Sequence, residues 1–235
     1  MSASRIDAVV IVVPVHDEEQ LLERCLTALE NAVDTARGAG IRCVVRIVLD
    51  DCSDGSTAIA ERHAVDFIAI GAACVGAARA AGIHAALDAL AEIDRDRTWI
   101  ANTDADSAVP PNWIVHQVAL ANEGAEVVVG TVRADPADLS AALADLRRRE
   151  YVPGVLAGNV HGANLGLRAG AYVAVGGFAP IAEHEDIDLV ARARERGFTV
   201  IASDGAEVLT SGRLVGRTPG GYAGFLLSQT QQLHA

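Results

Sequence analysis

Apolar residues along this chain alternate between two rhythms. Residues 8–15, AVVIVVPV, form a continuous apolar run rich in β-branched side chains. A run of that length and composition predicts a strand buried on both faces of a parallel sheet. From 18 to 36 the rhythm changes. Leu21, Leu22, Cys25, Leu26, Leu29 and Val33 recur at spacings of three and four, the stripe of a one-sided helix closed by "GAG". The alternation then repeats. Strands are predicted at 43–49, 67–70, 99–102 and 125–132, and helices at 56–64, 75–93 and from Pro111 to about Glu123. The segment "DDCSDGS" between the second strand and its helix is turn chemistry. Strands alternating with helices predict an α/β fold with a mostly parallel sheet.

The pattern loosens after 133. Residues 136–150 read as a polar helix, 161–167 as a strand, 187–197 as a helix with a basic final turn, and 198–203 as a last short strand. Residues 211–224, rich in Gly, Ser and Arg, read as a loop. No repeat or low-complexity linker divides the chain, so residues 1–235 are read as one domain. Its first half, about 1–107, would bind a nucleotide, and about 108–235 would complete the site.

Composition narrows the partners. With 235 residues and 51% hydrophobic content the chain can bury a sizeable core. The formal net charge of −12 argues against nucleic acid and anionic membranes, which favour clustered positive charge. The chain has no lysine, so every fixed side-chain cation is arginine, whose planar fork suits phosphate. Cys25, Cys43, Cys52 and Cys74 show neither C-x-x-C nor zinc-ligand spacing and read as reduced thiols. The N-terminus is unlike a signal peptide, and no apolar run approaches the roughly 20 residues that span a bilayer. The expectation is a cytoplasmic protein without a transmembrane segment, peripheral to a membrane at most. A homodimer is allowed.

The candidate chemistry lies at strand ends. "WIANTDADSAVPPNW", residues 99–113, places Asp104 and Asp106 after the fourth strand. In an extended segment residues i and i+2 point the same way, so both carboxylates would face one point. Carboxylate oxygens at the carboxyl end of a strand suit Mg²⁺ or Mn²⁺. The bland alternative is turn and helix-cap aspartates. Two earlier strands also end in acids, in "PVHDEE" (14–19) and "LDDCSDGS" (49–56). Asp50 or Asp51 could accept hydrogen bonds from a pyrimidine edge or a ribose hydroxyl. Such an acidic crevice would repel a diphosphate unless a metal intervened, with Arg79 as a further phosphate ligand.

These segments, in order, resemble the family 2 glycosyltransferases. "VVIVVPVHDEEQLLERCLTAL" is similar to the family's opening strand, "PxxNE" turn and helix, and "VLDDCSDGS" to its "VDDGSxDGT" turn. "GAARAAGI" is similar in part to "ARNxG", and "NTDADSAVPPNWI" resembles the DxD metal motif. "GANLGLRAGAYVAVGGF" resembles the acceptor-side segment and "HEDIDLVARARERGF" the "EDxDL" motif. The resemblance covers about residues 8–200. It implies a GT-A-type, Rossmann-like sandwich with a mostly parallel central sheet flanked by helices. It also implies transfer of one sugar from a nucleotide-diphosphate sugar, a UDP-sugar being favoured, to an acceptor hydroxyl. Asp50 and Asp51 would contact the nucleoside beside a wall of Pro14 and Val15. Arg79 would stand near the base or diphosphate. Asp106 and Asp104 would bind a divalent cation, Mn²⁺ or Mg²⁺, and the donor. Asp186 would be the general base of an inverting reaction, and Glu185 would orient acceptor or sugar. The absence of a "Q-x-x-R-W" segment points to single transfer rather than processive synthesis.

Other residues carry weaker expectations. Arg213 and Arg217, in "SGRLVGRTPGG", could close over the diphosphate. Arg147, Arg148 and Arg149 read as a solvated helix face, with an anionic acceptor as the sharper alternative. His161 could assist from a strand end, and His184 sits beside the acid pair. Gly176-Gly177-Phe178 reads as a tight turn or as backbone laid against a sugar. Two other classes compete: a haloacid-dehalogenase-like phosphatase, for which "DADSAV" has the right look but follows the fourth strand, and a non-catalytic sugar-nucleotide-binding protein.

Overall fold

The computed structural model describes residues 4–63, 65–150, 159–216, 218 and 220–233. Its strands are β1 (Ala8–Val15), β2 (Arg42–Asp50), β3 (Asp66–Ile70), β4 (Thr98–Asn102), β5 (Ser107–Ala108), β6 (Val127–Ala134), β7 (Leu165–Arg168) and β8 (Val200–Thr210). Its helices are α1 (Leu22–Gly38), α2 (Ser56–Arg62), α3 (Val75–Asp88), α4 (Trp113–Asn122), α5 (Ala141–Glu150), α6 (Ala169–Ala174), α7 (Glu185–Glu195) and α8 (Tyr222–Leu233). The strands form one sheet in the order β3-β2-β1-β4-β7-β6-β8-β5.

β1 explains its own composition. Side chains alternate across a strand. Val9, Ile11, Val13 and Val15 enter a core shared with α1 and α4, whereas Ala8, Val10 and Val12 enter a second core with α3. Both faces are covered, so no polar position is needed. β1 lies parallel to β2 on one side and to β4 on the other, and β2 parallel to β3. The carboxyl ends of these strands therefore open at one edge, where the acidic segments follow them.

The far half of the sheet departs from simple alternation. β7 runs antiparallel between β4 and β6, β8 returns parallel to β6, and the short β5 pairs antiparallel with β8. A buried polar layer joins this half to α4. Trp113 Nε1 and Gln117 Nε2 donate to Asn164 Oδ1 at 2.9 and 3.3 Å, and Trp99 Nε1 donates to Gln117 Oε1 at 2.8 Å. Asn164 Nδ2 donates to the carbonyls of Thr131 and Ala206, each at 2.9 Å. Only glycine leaves room for this layer at two places. A Cβ on Gly130 would lie 2.2 Å from Asn164, and one on Gly166 2.2 Å from Gln117 Oε1.

Several boundaries differ from the periodicity reading. α3 stops at Asp88 rather than 93, where the chain turns back to bring Leu90 into the core. The strand expected at 161–167 begins with a single 3-10 turn, Gly162–Asn164, before β7. The strand expected at 198–203 is β8, which runs to Thr210. The loop expected over 211–224 is described as one from Ser211 to Gly216, but Tyr222 opens α8, which buries only Leu226 and Gln229 and so has little apolar periodicity. α6 and β5 had no sequence signal strong enough to read.

Candidate active site

The strand-end loops are stitched to one another by carboxylates. Asp17 holds a left-handed φ of 49° and accepts from the amides of Ser53 at 2.7 Å and Asp54 at 3.1 Å. These amides, Ser53 first, keep its carboxyl below the usual range. The Glu18 amide donates to Ser56 Oγ at 2.9 Å, and Gly55 N to Glu19 Oε2 at 2.8 Å. Asp50, buried at the end of β2, accepts from Ala72 N (2.8 Å), Ala73 N (2.9 Å) and Cys74 N (2.8 Å). It thus builds the loop that starts α3, a structural use the sequence reading missed. Asp51 takes φ 54° and is exposed, its amide donating to Ile70 O at 2.8 Å. Pro14, Val15 and Asp50 line the cleft, together with His16, whose Nδ1 meets Asp50 O at 2.6 Å.

Arg79 sits at the centre. It is 2% exposed; its Nη2 donates to Asp104 Oδ1 at 2.5 Å and its Nε to Glu185 Oε1 at 3.1 Å. Phe178 covers the guanidinium, the ring centroid 5.7 Å from Cζ. Burial works against the charge, but Asp104 and Glu185 outweigh it and the Arg79 pKa is raised. Glu185 is pushed up by burial, with Arg79 pulling it back. Arg79 was expected near base or diphosphate; here it fastens a residue of the acid pair after β4 to the first turn of α7. Its Nη1 is buried without a hydrogen-bond partner. Next to Glu185, Asp186 accepts from Gly162 N at 2.6 Å through Oδ2 and from Ile187 N at 2.8 Å through Oδ1.

Asp104 and Asp106 lie in a turn rather than an extended segment, with buried Ala105 between them. They accordingly take different partners. Asp106 Oδ2 pairs with Arg213 Nη2 at 3.0 Å, and Oδ1 accepts from Ser107 Oγ at 3.2 Å and Thr210 Oγ1 at 3.4 Å. Arg213 also forks onto Glu18, Nη1 to Oε2 at 3.1 Å and Nη2 to Oε1 at 2.8 Å. Burial first, then the neighbouring Asp104, pushes the Asp106 carboxyl up to about 6, with Arg213 opposing. Glu18 was not singled out beforehand, although it stands in the "PVHDEE" strand end.

These acids suit a divalent cation. The donors are all carboxylate oxygens, hard ligands of the kind such an ion takes, and Asp104, Asp106 and Glu18 all bring them to the cleft. Among the described residues no group of three His, Cys, Asp or Glu forms a closed metal cage. A Mg²⁺-type ion needs none, because one or two carboxylates plus substrate phosphates commonly hold it.

The cleft measures about 1590 Å³ and runs from Pro14 and Asp50 past Arg79, Asp104, Asp106, Glu185 and Asp186 to α5 and α8. A single small ligand fills roughly 300–1,000 Å³, so two reactants fit side by side. His161 stacks edge-on against Tyr222, ring centroids 5.8 Å apart, and burial lowers its pKa. Arg147 lies over the Phe225 ring at 5.2 Å, and Arg148 pairs with Asp145 at 2.7 Å. His184 takes φ 63° at the start of α7, 4.0 Å from Glu183. Gly176 and Gly177 have φ of 85° and 71° and form a turn whose Gly177 carbonyl accepts from Arg192 at 2.8 Å, away from the cleft lining. Arg217 lies outside the described residues.

Comparison with known proteins supplies a frame. No curated protein sequence matches the chain. Among solved structures, TarS from S. aureus (residues 1–349) in complex with UDP-GlcNAc superposes with a TM-score of 0.63 at 14% identity, over 92% of this chain and 61% of that one. The mannosyltransferase PcManGT from Pyrobaculum calidifontis, in complex with GDP-Man and Mn²⁺, gives 0.60 at 20% identity, over 99% and 63%. Glucosyl-3-phosphoglycerate synthase from Mycobacterium tuberculosis, in complex with phosphoglyceric acid, gives 0.55 at 12% identity, over 98% and 80%. The chain thus spans about three fifths of the TarS 1–349 segment and of PcManGT. At these identities the likeness shows the fold: the mixed α/β architecture of GT-A glycosyltransferases. The sequence model of Glycosyl transferase family 2 matches residues 10–170, more than half of the 235, and the chain belongs to that family.

Proposed function

We propose that the chain transfers a sugar from a nucleoside-diphosphate sugar to an acceptor hydroxyl, with Asp186 as general base and inversion at the anomeric carbon. The observation that carries this reading is the contact of Arg79 with both Asp104 and Glu185, the neighbour of Asp186. It supports a reading in which Asp104 would face the donor and the Glu185–Asp186 pair the acceptor, in one cleft with room for two reactants. The solved relatives carrying UDP-GlcNAc, or GDP-Man with Mn²⁺, support a nucleotide-sugar donor.

Asp106 and Asp104 would hold a divalent cation, whose charge would offset that of the leaving diphosphate. The chain does the rest. Pro14 and Val15 wall one side of the donor half of the cleft. Arg79 Nη1 offers an unused donor. Asp51 is exposed after β2 and outside the cleft lining, and Asp50, which lines it, shapes the neighbouring loop through three amides. Two amides fix the Asp186 carboxylate, and each of its oxygens keeps a second lone-pair position. One of these accepts the acceptor's proton as its oxygen attacks the anomeric carbon and the bond to the diphosphate breaks. One carboxylate base suffices for inversion. The phosphatase alternative loses ground because the acid pair follows β4 and the chain has no lysine.

A thermal-shift panel of UDP-, GDP- and dTDP-sugars, with and without Mn²⁺, tests the donor. Binding to the native state raises the melting point by mass action, and one nucleotide class should do so in a metal-dependent way. Asp186→Asn should keep that shift and lose transfer. Near-normal transfer by Asp186→Asn refutes the base assignment, and a panel without any metal-dependent shift refutes the donor assignment.

A further inference from the structure

We propose that Arg213 is the built-in counter-ion of the acid cluster, and that a divalent cation gains Asp106 only as a nucleoside diphosphate draws the guanidinium away. The inference rests on the donor reading above and adds to it a mutual dependence between metal and nucleotide.

Arg213 spans two carboxylates at once, 2.8 and 3.1 Å from the oxygens of Glu18 and 3.0 Å from Asp106 Oδ2. Both acids are largely withdrawn from water, with side-chain exposures of 7% for Glu18 and 15% for Asp106. Left without a cation they would repel each other in a poorly solvated place. A guanidinium and a metal ion compete for the same carboxylate, since each needs its lone pairs and the two cations repel. Metal alone therefore has to take Asp106 from an arginine that stays anchored beside it on Glu18. A diphosphate changes that balance, because its oxygens match the planar fork of arginine as well as a carboxylate does.

The backbone suits an exchange made by the side chain. Arg213 follows β8 by three residues, and its flanks are pinned: Ser211 N donates to Asp106 O at 3.2 Å and Gly212 N to Asp138 Oδ2 at 2.8 Å. Gly212 packs so closely that a Cβ there would lie 2.8 Å from the Asp138 Cβ. The guanidinium end is freer, since the Arg213 side chain is 34% exposed and lines the cleft. Cation and diphosphate then help each other bind, and the coupling is reciprocal.

Mn²⁺ binding followed by electron paramagnetic resonance tests the idea without turnover. Titrations compare wild type and Arg213→Ala, each alone and with UDP or GDP, corrected for Mn²⁺–nucleotide complexes formed without protein. In wild type the nucleotide should tighten Mn²⁺ by about tenfold or more, within the ordinary range of coupled sites. Arg213→Ala should bind Mn²⁺ alone about tenfold tighter than wild type, a shift of the size a single strong contact supplies. Its remaining nucleotide effect should be clearly smaller than in wild type, what is left being the direct attraction between metal and diphosphate. If Arg213→Ala does not fold, Arg213→Gln keeps the reach without the charge and should move in the same direction. Nucleotide binding that survives with Mn²⁺ bound no tighter in either variant overturns the counter-ion role and leaves the donor reading standing. Failure of wild type to bind both Mn²⁺ and nucleotide overturns the two together.

Discussion

Replacing Arg79 with methionine should remove a large part of the protein's stability at neutral pH, and acid should restore it. Methionine keeps an apolar stem in place and removes the charge. Arg79 is 2% exposed; of its partners Asp104 is 38% exposed and Glu185 only 7%. Asp104 can turn to water, so its share is about 1 kcal/mol or less. Glu185 cannot, and a buried carboxylate stripped of its partner typically costs about 3–5 kcal/mol. Loss of the guanidinium from the face of Phe178 adds about 0.5–1 kcal/mol. The total of about 3.5–7 kcal/mol is a large part of the roughly 5–15 kcal/mol that holds a typical domain. The pH dependence has a definite sign. Burial already holds the Glu185 pKa above its ordinary value, and Arg79 restrains it. Without Arg79 it rises further. A carboxyl with a native pKa above its unfolded value costs stability while ionised, and the cost fades as pH falls through the native pKa towards the unfolded one. Urea midpoints of both proteins across a pH series measure the deficit. A loss under about 1 kcal/mol, the size of an ordinary surface change, or a loss constant across the series would refute the reasoning.

Two further outcomes follow from the same geometry. Burial, and then Asp104, raise the Asp106 carboxyl from 3.8 to about 6, so without metal its ionised form costs the fold stability at neutral pH. Asp106→Asn should therefore melt above wild type at pH near neutrality in metal-free buffer, with the gap closing as pH falls from about 6 towards 3.8. It should also abolish metal-dependent stabilisation by the donor; a variant less stable than wild type there would contradict the burial argument. Gly130→Ala drives a methyl to within 2.2 Å of Asn164 and should lower stability by about 1–3 kcal/mol in chemical denaturation. A neutral effect would mean that the polar layer can shift.

What could be read ahead of the structure was what is local. β1 and β4 announce themselves because each is covered on both faces, which leaves the apolar run unbroken, and β2 does so with Arg46 alone interrupting its run. The α/β class follows from that, and the ordered motifs identified the family. The functional contacts are another matter. Arg79 and Glu185 are 106 positions apart, and Glu18 and Arg213 are 195 apart. No spacing rule reaches so far. The two aspartates after β4 illustrate the limit: an i, i+2 argument assumes extended backbone, and the turn at Ala105 sends them to different arginines. α8 was illegible for a simpler reason. It buries little, with Phe225 and Leu227 facing outward, so no stripe marks it.

The antiparallel β7 has a consequence for anyone who would recombine this domain with a relative. Residues 165–168 are hydrogen-bonded directly to β4, so the latter part of the chain supplies the neighbouring strand of the earlier part. A splice after residue 107 would set β4 against a relative's strand in place of β7, and a relative's side chain against the Trp99 indole that Gln117 now holds. Chimeras made at that point should lose stability rather than exchange specificity. The workable junctions lie out on the connecting loops, where no strand changes hands.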